Sequence, residues 1–140
     1  MKKITFSILL LVLSIQFMNS QSSYSLEGQL GKNKIYLTFN SDNSELDGSY
    51  FYKNSLKNIP LEGVVNQGKF VLKFENHDNK VFEKFELSKS SNTSFTGFWR
   101  DQKGKKIPLI LTAINFSKFP HNSAIGLINE FDLIKLSLLE

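Results

Sequence analysis

Lys34-Ile35-Tyr36-Leu37-Thr38-Phe39-Asn40 reads as a strand with one dry face. Ile35, Leu37 and Phe39 fall on one side and Lys34, Tyr36 and Thr38 on the other, the two-residue period of a pleated backbone. Lys69-Phe70-Val71-Leu72-Lys73-Phe74-Glu75 repeats the pattern, with Phe70, Leu72 and Phe74 opposed to Lys69, Val71, Lys73 and Glu75. Strands that are apolar on one face and polar on the other belong to antiparallel sheets with one wet side.

Outward from these two strands the same signal extends from Ser23 to Ile114. It divides into eight segments: Ser23–Leu30, Lys34–Asn40, Glu45–Lys53, Asn58–Asn66, Lys69–Glu75, Lys80–Ser88, Ser94–Asp101 and Lys105–Ile114. The intervals between them are short and rich in Gly, Asn and Ser, as hairpin turns are. No interval holds a helical crossover, which argues against a parallel sheet. The fold class is therefore all-β: an eight-stranded antiparallel meander, either a small up-and-down barrel or a strongly curved sheet. Three regions follow: residues 1–20, the β-meander at 21–114, and a tail at 115–140.

The meander carries an internal echo. Leu26-Glu27-Gly28 before Lys34–Phe39 parallels Leu61-Glu62-Gly63 before Lys69–Phe74. Gly48-Ser49-Tyr50 leading to Ile59-Pro60-Leu61 likewise parallels Gly97-Phe98-Trp99 leading to Ile107-Pro108-Leu109. In the tail, Leu127, Ile128, Phe131, Ile134 and Leu138 recur at helical spacing after Pro120, which favours a helix packed on the sheet, although Leu133 and Leu136 break the pattern and Ile134–Leu138 also reads as a strand. The chain stops on this apolar run at Glu140, as a truncated product would.

Residues 1–20 have another character. Lys2 and Lys3 precede an apolar run from Phe6 to Phe17, and Ser20, Gln21, Ser22 and Ser23 follow it. Basic, apolar and small-polar segments in that order predict a secretory signal peptide. The run is shorter than the roughly 20 residues that span a bilayer, so no membrane span is expected after cleavage. Of 17 basic residues two lie in this segment, which leaves 15 against 13 acidic ones and a net charge of +2. So mild a balance gives no electrostatic case for nucleic acid. The absence of cysteine excludes disulfides, thiolate metal sites and a Cys nucleophile.

No phosphate loop, zinc-protease helix or serine elbow is present. His77 and His121 fall in predicted turn or coil and lack the further ligands of a metal site, so neither metal nor cofactor is expected. Glu62, Glu75, Glu83 and Glu86 are the strand carboxylates that a hydrolase would need in a pair. Glu83 shares its predicted face with Val81, Phe85 and Leu87 and is the one candidate for a buried carboxylate, but a strand-end or rim position with the charge in solvent is the preferred reading. The aromatics are more informative. Tyr50, Tyr52, Phe95 and Trp99 occupy predicted inward faces, where they either fill a barrel or line a ligand cup. If they are inward, the Tyr hydroxyls and the Trp99 indole N–H need partners at the barrel mouth. Phe51, Phe82 and Phe98 point the opposite way and form a candidate partner-facing patch.

Gly48-Ser49-Tyr50, Leu61-Glu62-Gly63 and Thr96-Gly97-Phe98-Trp99 resemble the strand motifs of small exported bacterial β-meander proteins. Residues 24–114 are also distantly similar to the eight-stranded avidin and lipocalin barrels. The lipocalin Gly-x-Trp lies in the first strand, whereas Gly97-Phe98-Trp99 falls in the seventh segment, so no binding residue carries over. The Ser-Gln junction of the leader resembles those of Bacteroidetes-type bacteria, which implies export to the periplasm or beyond. The functional expectation is an exported, non-enzymatic binding module that engages a small apolar ligand or a protein partner through aromatic faces. The alternatives are an inhibitor or immunity-type protein acting through a loop or sheet edge, and a carboxylate-based hydrolase.

Overall fold

The structure, a computed structural model, describes residues 21–75, 77–78, 80–115, 135 and 138–139. Eight strands run in order: β1 (Gln21–Leu30), β2 (Asn33–Asp42), β3 (Glu45–Tyr52), β4 (Ile59–Asn66), β5 (Lys69–Glu75), β6 (Val81–Lys89), β7 (Ser94–Asp101) and β8 (Lys106–Ala113). Each pairs antiparallel with the next, and β1 pairs with β8, so the meander closes into a barrel. Of the two architectures open to the sequence, the closed one is found. The expected signal peptide lies outside the described residues, as does nearly all of the expected C-terminal helix.

The alternation selects the inside. Leu26 on β1 faces Leu37 on β2, Leu37 faces Tyr50 on β3, and Gly48 faces Leu61 on β4. Around the far side Leu72 faces Phe85, Phe85 faces Trp99, and Trp99 faces Ile107. Leu37, Tyr50, Leu72, Phe85 and Leu111 are fully buried. Eight strands enclose just enough room for such side chains to meet. Gly97 sits between Phe95 and Trp99 on the inner face, where a Cβ would lie 1.9 Å from the Glu86 carbonyl oxygen. Only glycine lets β6 and β7 approach this closely and bend together. At the other extreme of curvature, Gln67 (φ 49°) and Gly68 (φ 77°) form the two-residue turn between β4 and β5, with both residues left-handed as a type I′ hairpin requires.

Two features depart from plain alternation. The β5–β6 register shifts between Phe74 and Glu75, so that Phe74 pairs with Glu83 but Glu75 with Val81. The extra residue is Phe82, and Val81 is turned outward at 40% exposure rather than sharing the inner face with Glu83 and Phe85. A β-bulge reverses the facing of everything beyond it. The second departure is the closing seam. β1 pairs with β8 only from Leu26↔Ala113 to Gly28↔Leu111, whereas β1 and β2 pair along ten residues.

The seam ends beside a proline. Ile114 N–H donates to the Ser25 carbonyl at 3.0 Å and Ala113 N–H to Thr93 at 2.7 Å. Successive β8 residues thus address β1 and β7 by turns, and Pro108 addresses β1 beyond the last pair. Pro60 is placed alike. Val65 N–H reaches Ser44 on the β3 side, so Pro60 addresses β5, where pairing begins only at Glu62↔Lys73. In the Ile-Pro-Leu echo, each proline occupies a position whose missing N–H has no strand to meet.

Candidate functional site

The interior divides into two ends. At one end Tyr24, Phe39, Phe70 and Phe95 pack as a four-ring cluster, with centroid separations from 4.9 to 6.0 Å. Phe95 belongs here, not with Trp99. Four residues of strand separate them by about 13 Å at the usual rise. Tyr24, Phe39 and Phe70 were not singled out from the sequence as site residues. Their shared inward parity was visible there, but not the register that assembles them.

At the opposite end, the mouth, Tyr50, Tyr52, Glu83 and Trp99 come together. Tyr50 is fully buried at the end of β3, and its ring meets Tyr52 at 5.6 Å and Phe85 at 5.0 Å. Its hydroxyl donates to Glu83 Oε2. The Trp99 indole N–H donates to the same oxygen at 3.4 Å. Glu83 is therefore the partner that inward Tyr and Trp need. Plain alternation with Phe85 and Leu87 places Glu83 on the inner face opposite Phe74, and the bulge beyond it turns Val81 outward. Burial raises the Tyr50 hydroxyl well above the ordinary phenol range, and the bond to Glu83 adds to it. Burial also raises Tyr52, partly offset by its bond with Tyr50. Half-buried Ile59, Phe74 and Ile107 complete the collar.

The three outward phenylalanines do not form one patch. Phe51 is fully buried outside the barrel, stacked on Tyr36 at 5.1 Å and packed with Leu56, Ile114 and Leu138. Lys135 Nζ lies 5.2 Å from the centre of its ring. Leu56 reaches this cluster at φ 54°, a left-handed backbone that costs a branched residue about 1–2 kcal/mol. Phe82 is half-buried at the bulge, its ring 6.1 Å from that of Phe74. Phe98 is 39% exposed, with Lys106 Nζ 3.8 Å from its ring centre.

Phe98 stands in an open groove of about 1180 Å³ on the outer surface, which runs from β5 through β8 to β1. Pro108 and Ile110 extend its apolar floor, and Ile110 is 65% exposed. Lys34, Lys69, Arg100 and Lys106 line it together with Glu27 and Glu86. Both acids are neutralised: Glu27 by Lys34 at 3.0 Å, and Glu86 by Lys84 at 2.9 Å and Arg100 at 3.2 Å. Lys84 is the main reason that Glu86 sits below the ordinary carboxylate range. Pro108 and Ile110 were absent from the sequence-based candidates. The signal was the apolar run Ile107–Leu111, which alternation alone would leave half in water.

Among the described residues no group of three or more His, Asp or Glu could hold a metal ion. His77 is exposed, and His121 lies outside the described residues. Asp101 neighbours Glu83 across the β6–β7 ladder, but its Oδ1 accepts the backbone N–H groups of Lys103 and Lys105 at 2.9 and 2.8 Å. That carboxylate serves the hairpin turn.

These features define a closed, up-and-down eight-stranded β-barrel with a side-chain-filled interior, a polar knot at its mouth and a groove on its outer wall. Compared with known proteins, the chain matches no family model, no curated protein and no solved structure.

Proposed function

We propose that this chain is an exported, non-enzymatic binding module that engages a protein partner through the outer groove, by a segment carrying apolar side chains flanked by carboxylates. The single observation behind this reading is the solvent-facing Phe98–Pro108–Ile110 floor set in a concave, cation-rimmed surface. Large exposed apolar side chains grouped in a groove are unusual on a monomeric surface and favour a partner. The rim selects its charge. Glu27 and Glu86 are already neutralised, whereas Lys69 and Lys106 form no ion pair among the described residues, so an acidic partner gains complementary contacts. Export rests on the order of Lys2-Lys3, the apolar run and Ser20–Ser23.

Two other readings have less support. A ligand cup inside the barrel competes with the aromatic side chains that occupy the interior. Docking by strand addition at the seam competes with Pro108, which offers no N–H there. The test is capture of a partner by immobilised chain 21–140 from periplasm or medium, with Ile110→Glu and a surface control, Asn92→Ala, run alongside. One partner retained by the control, lost with Ile110→Glu and weakened by salt supports the groove. Equal capture by Ile110→Glu refutes it.

A further inference from the structure

We infer that Glu83 anchors a second binding site, at the barrel mouth, for a small primary ammonium ligand with an apolar body. Both bonds that Glu83 accepts, from Tyr50 and Trp99, fall on Oε2. Oε1 receives none from the described residues. Yet no fully buried side-chain oxygen among the described residues is left without a partner, so Oε1 keeps contact with solvent. The carboxylate is thus half held by the fold and half presented outward.

Among the described residues no cation pairs with Glu83. Tyr50 and Trp99 are neutral donors, and the nearby Lys84 and Arg100 are both engaged by Glu86 on the outer face. A half-buried carboxylate that has lost part of its water gains most from a cation bonded directly to it. The surroundings favour the same partner. Tyr50 and Trp99 hold the carboxylate from within, and half-buried Tyr52 stands at the same mouth, where the face of such a ring attracts an ammonium group. Half-buried Ile59, Phe74 and Ile107 supply an apolar collar for the body of the ligand.

The floor fixes how deep the ligand goes. Phe85 and Leu72 are fully buried beneath Tyr50. The head group therefore stops at Oε1, and the body lies outward along the collar. A primary ammonium, with three donors on a compact head, fits one free carboxylate oxygen. A guanidinium's paired fork suits a carboxylate with both oxygens available, and here Oε2 is taken.

The experiment compares three molecules with one body and different heads: phenethylammonium, phenylethanol and phenylacetate. Chain 21–140 contains one tryptophan, Trp99, so its fluorescence reports directly from the site. Phenethylammonium is expected to give a saturable change near millimolar concentration, about 10-fold or more tighter than the other two. Glu83→Gln, with an unchanged circular dichroism spectrum, is expected to abolish that preference. If Glu83→Gln fails to fold, the three-head comparison on the unaltered chain decides alone. Equal binding of the three heads, or no saturation by phenethylammonium up to about 10 mM, overturns the site. Ile110→Glu lies on the outer groove and leaves ammonium binding unchanged, so this proposal and the groove proposal fail separately.

Discussion

Replacing Trp99 by alanine tests the inner architecture most directly. Trp99 is 8% exposed and is flanked on the inner face by Phe85 of β6 and Ile107 of β8. Truncation removes the indole from this layer and leaves a cavity that the neighbouring strands cannot fill without breaking register. For buried aromatics the cost is about 3–5 kcal/mol. It also removes one of the two donors to Glu83 Oε2, but at 3.4 Å that bond is long and contributes at most about 1 kcal/mol. Packing should therefore dominate. Trp99→Phe separates the two terms, since it keeps a ring and deletes the N–H, with an expected loss of about 1–1.5 kcal/mol.

The assay is urea unfolding of chain 21–140 followed by far-ultraviolet circular dichroism, because Trp99 is the only tryptophan and fluorescence disappears with it. With a slope of about 1.5 kcal/mol per molar urea, Trp99→Ala moves the midpoint by about 2–3 M and Trp99→Phe by about 1 M or less. A loss under about 1 kcal/mol for Trp99→Ala, with an unchanged slope, refutes the packed-interior assignment. Equal losses in both variants refute the claim that the ring, not the N–H, holds this layer.

Phe51 and Phe98 both point out of the barrel, yet Phe51→Ala is expected to cost about 3–5 kcal/mol and Phe98→Ala to change stability by no more than about 0.5 kcal/mol, measured in the same unfolding assay. The raised Tyr50 hydroxyl carries a pH signature. The folded state keeps a proton that the unfolded state releases above pH 10.0, so stability falls as pH rises beyond that value. Tyr50→Phe is expected to flatten that alkaline limb, read as midpoint against pH. Pro108→Thr restores an N–H opposite the unpaired end of the seam. Sedimentation velocity is expected to show more self-association at nearly unchanged stability, and an unaltered monomer would contradict the role given to this proline.

The strands were legible in the sequence because each carries its own evidence. Ile35-Leu37-Phe39 and Phe70-Leu72-Phe74 state their period locally, and β5 and β7 begin and end where the sequence placed them. Closure was not legible. It depends on three pairs between Leu26–Gly28 and Leu111–Ala113, which no local period encodes. The reversal at Val81 was hidden for a related reason: the bulge belongs to the pairing of β5 with β6 and not to either strand alone. Tyr50, Tyr52, Glu83 and Trp99 could each be read as inward, with Val81 the misleading neighbour of Glu83. That they share one end while Phe95 takes the other is a matter of height along the barrel, which parity leaves undetermined. Phe51 looked like an exposed patch because its cover comes from Leu56, Ile114 and Leu138, residues outside the strands.

The short seam and the groove are one structural event. β1 and β8 pair up to Gly28 and Leu111, where a Cβ on residue 28 would lie 2.5 Å from the Ile110 carbonyl oxygen. Gly28, Gln29, Gly31 and Lys34 then border one side of the groove, and Lys106 to Ile110 the other. A barrel that stops pairing along one side exposes strand edge, and an exposed edge recruits other strands indiscriminately. Here the exposed stretch of β8 carries Pro108 in its middle and Lys106 at its start, a missing donor and a charge. Both discourage strand addition while leaving Phe98 and Ile110 uncovered. The surface that remains presents side chains and not backbone, and side chains, unlike backbone, discriminate between partners.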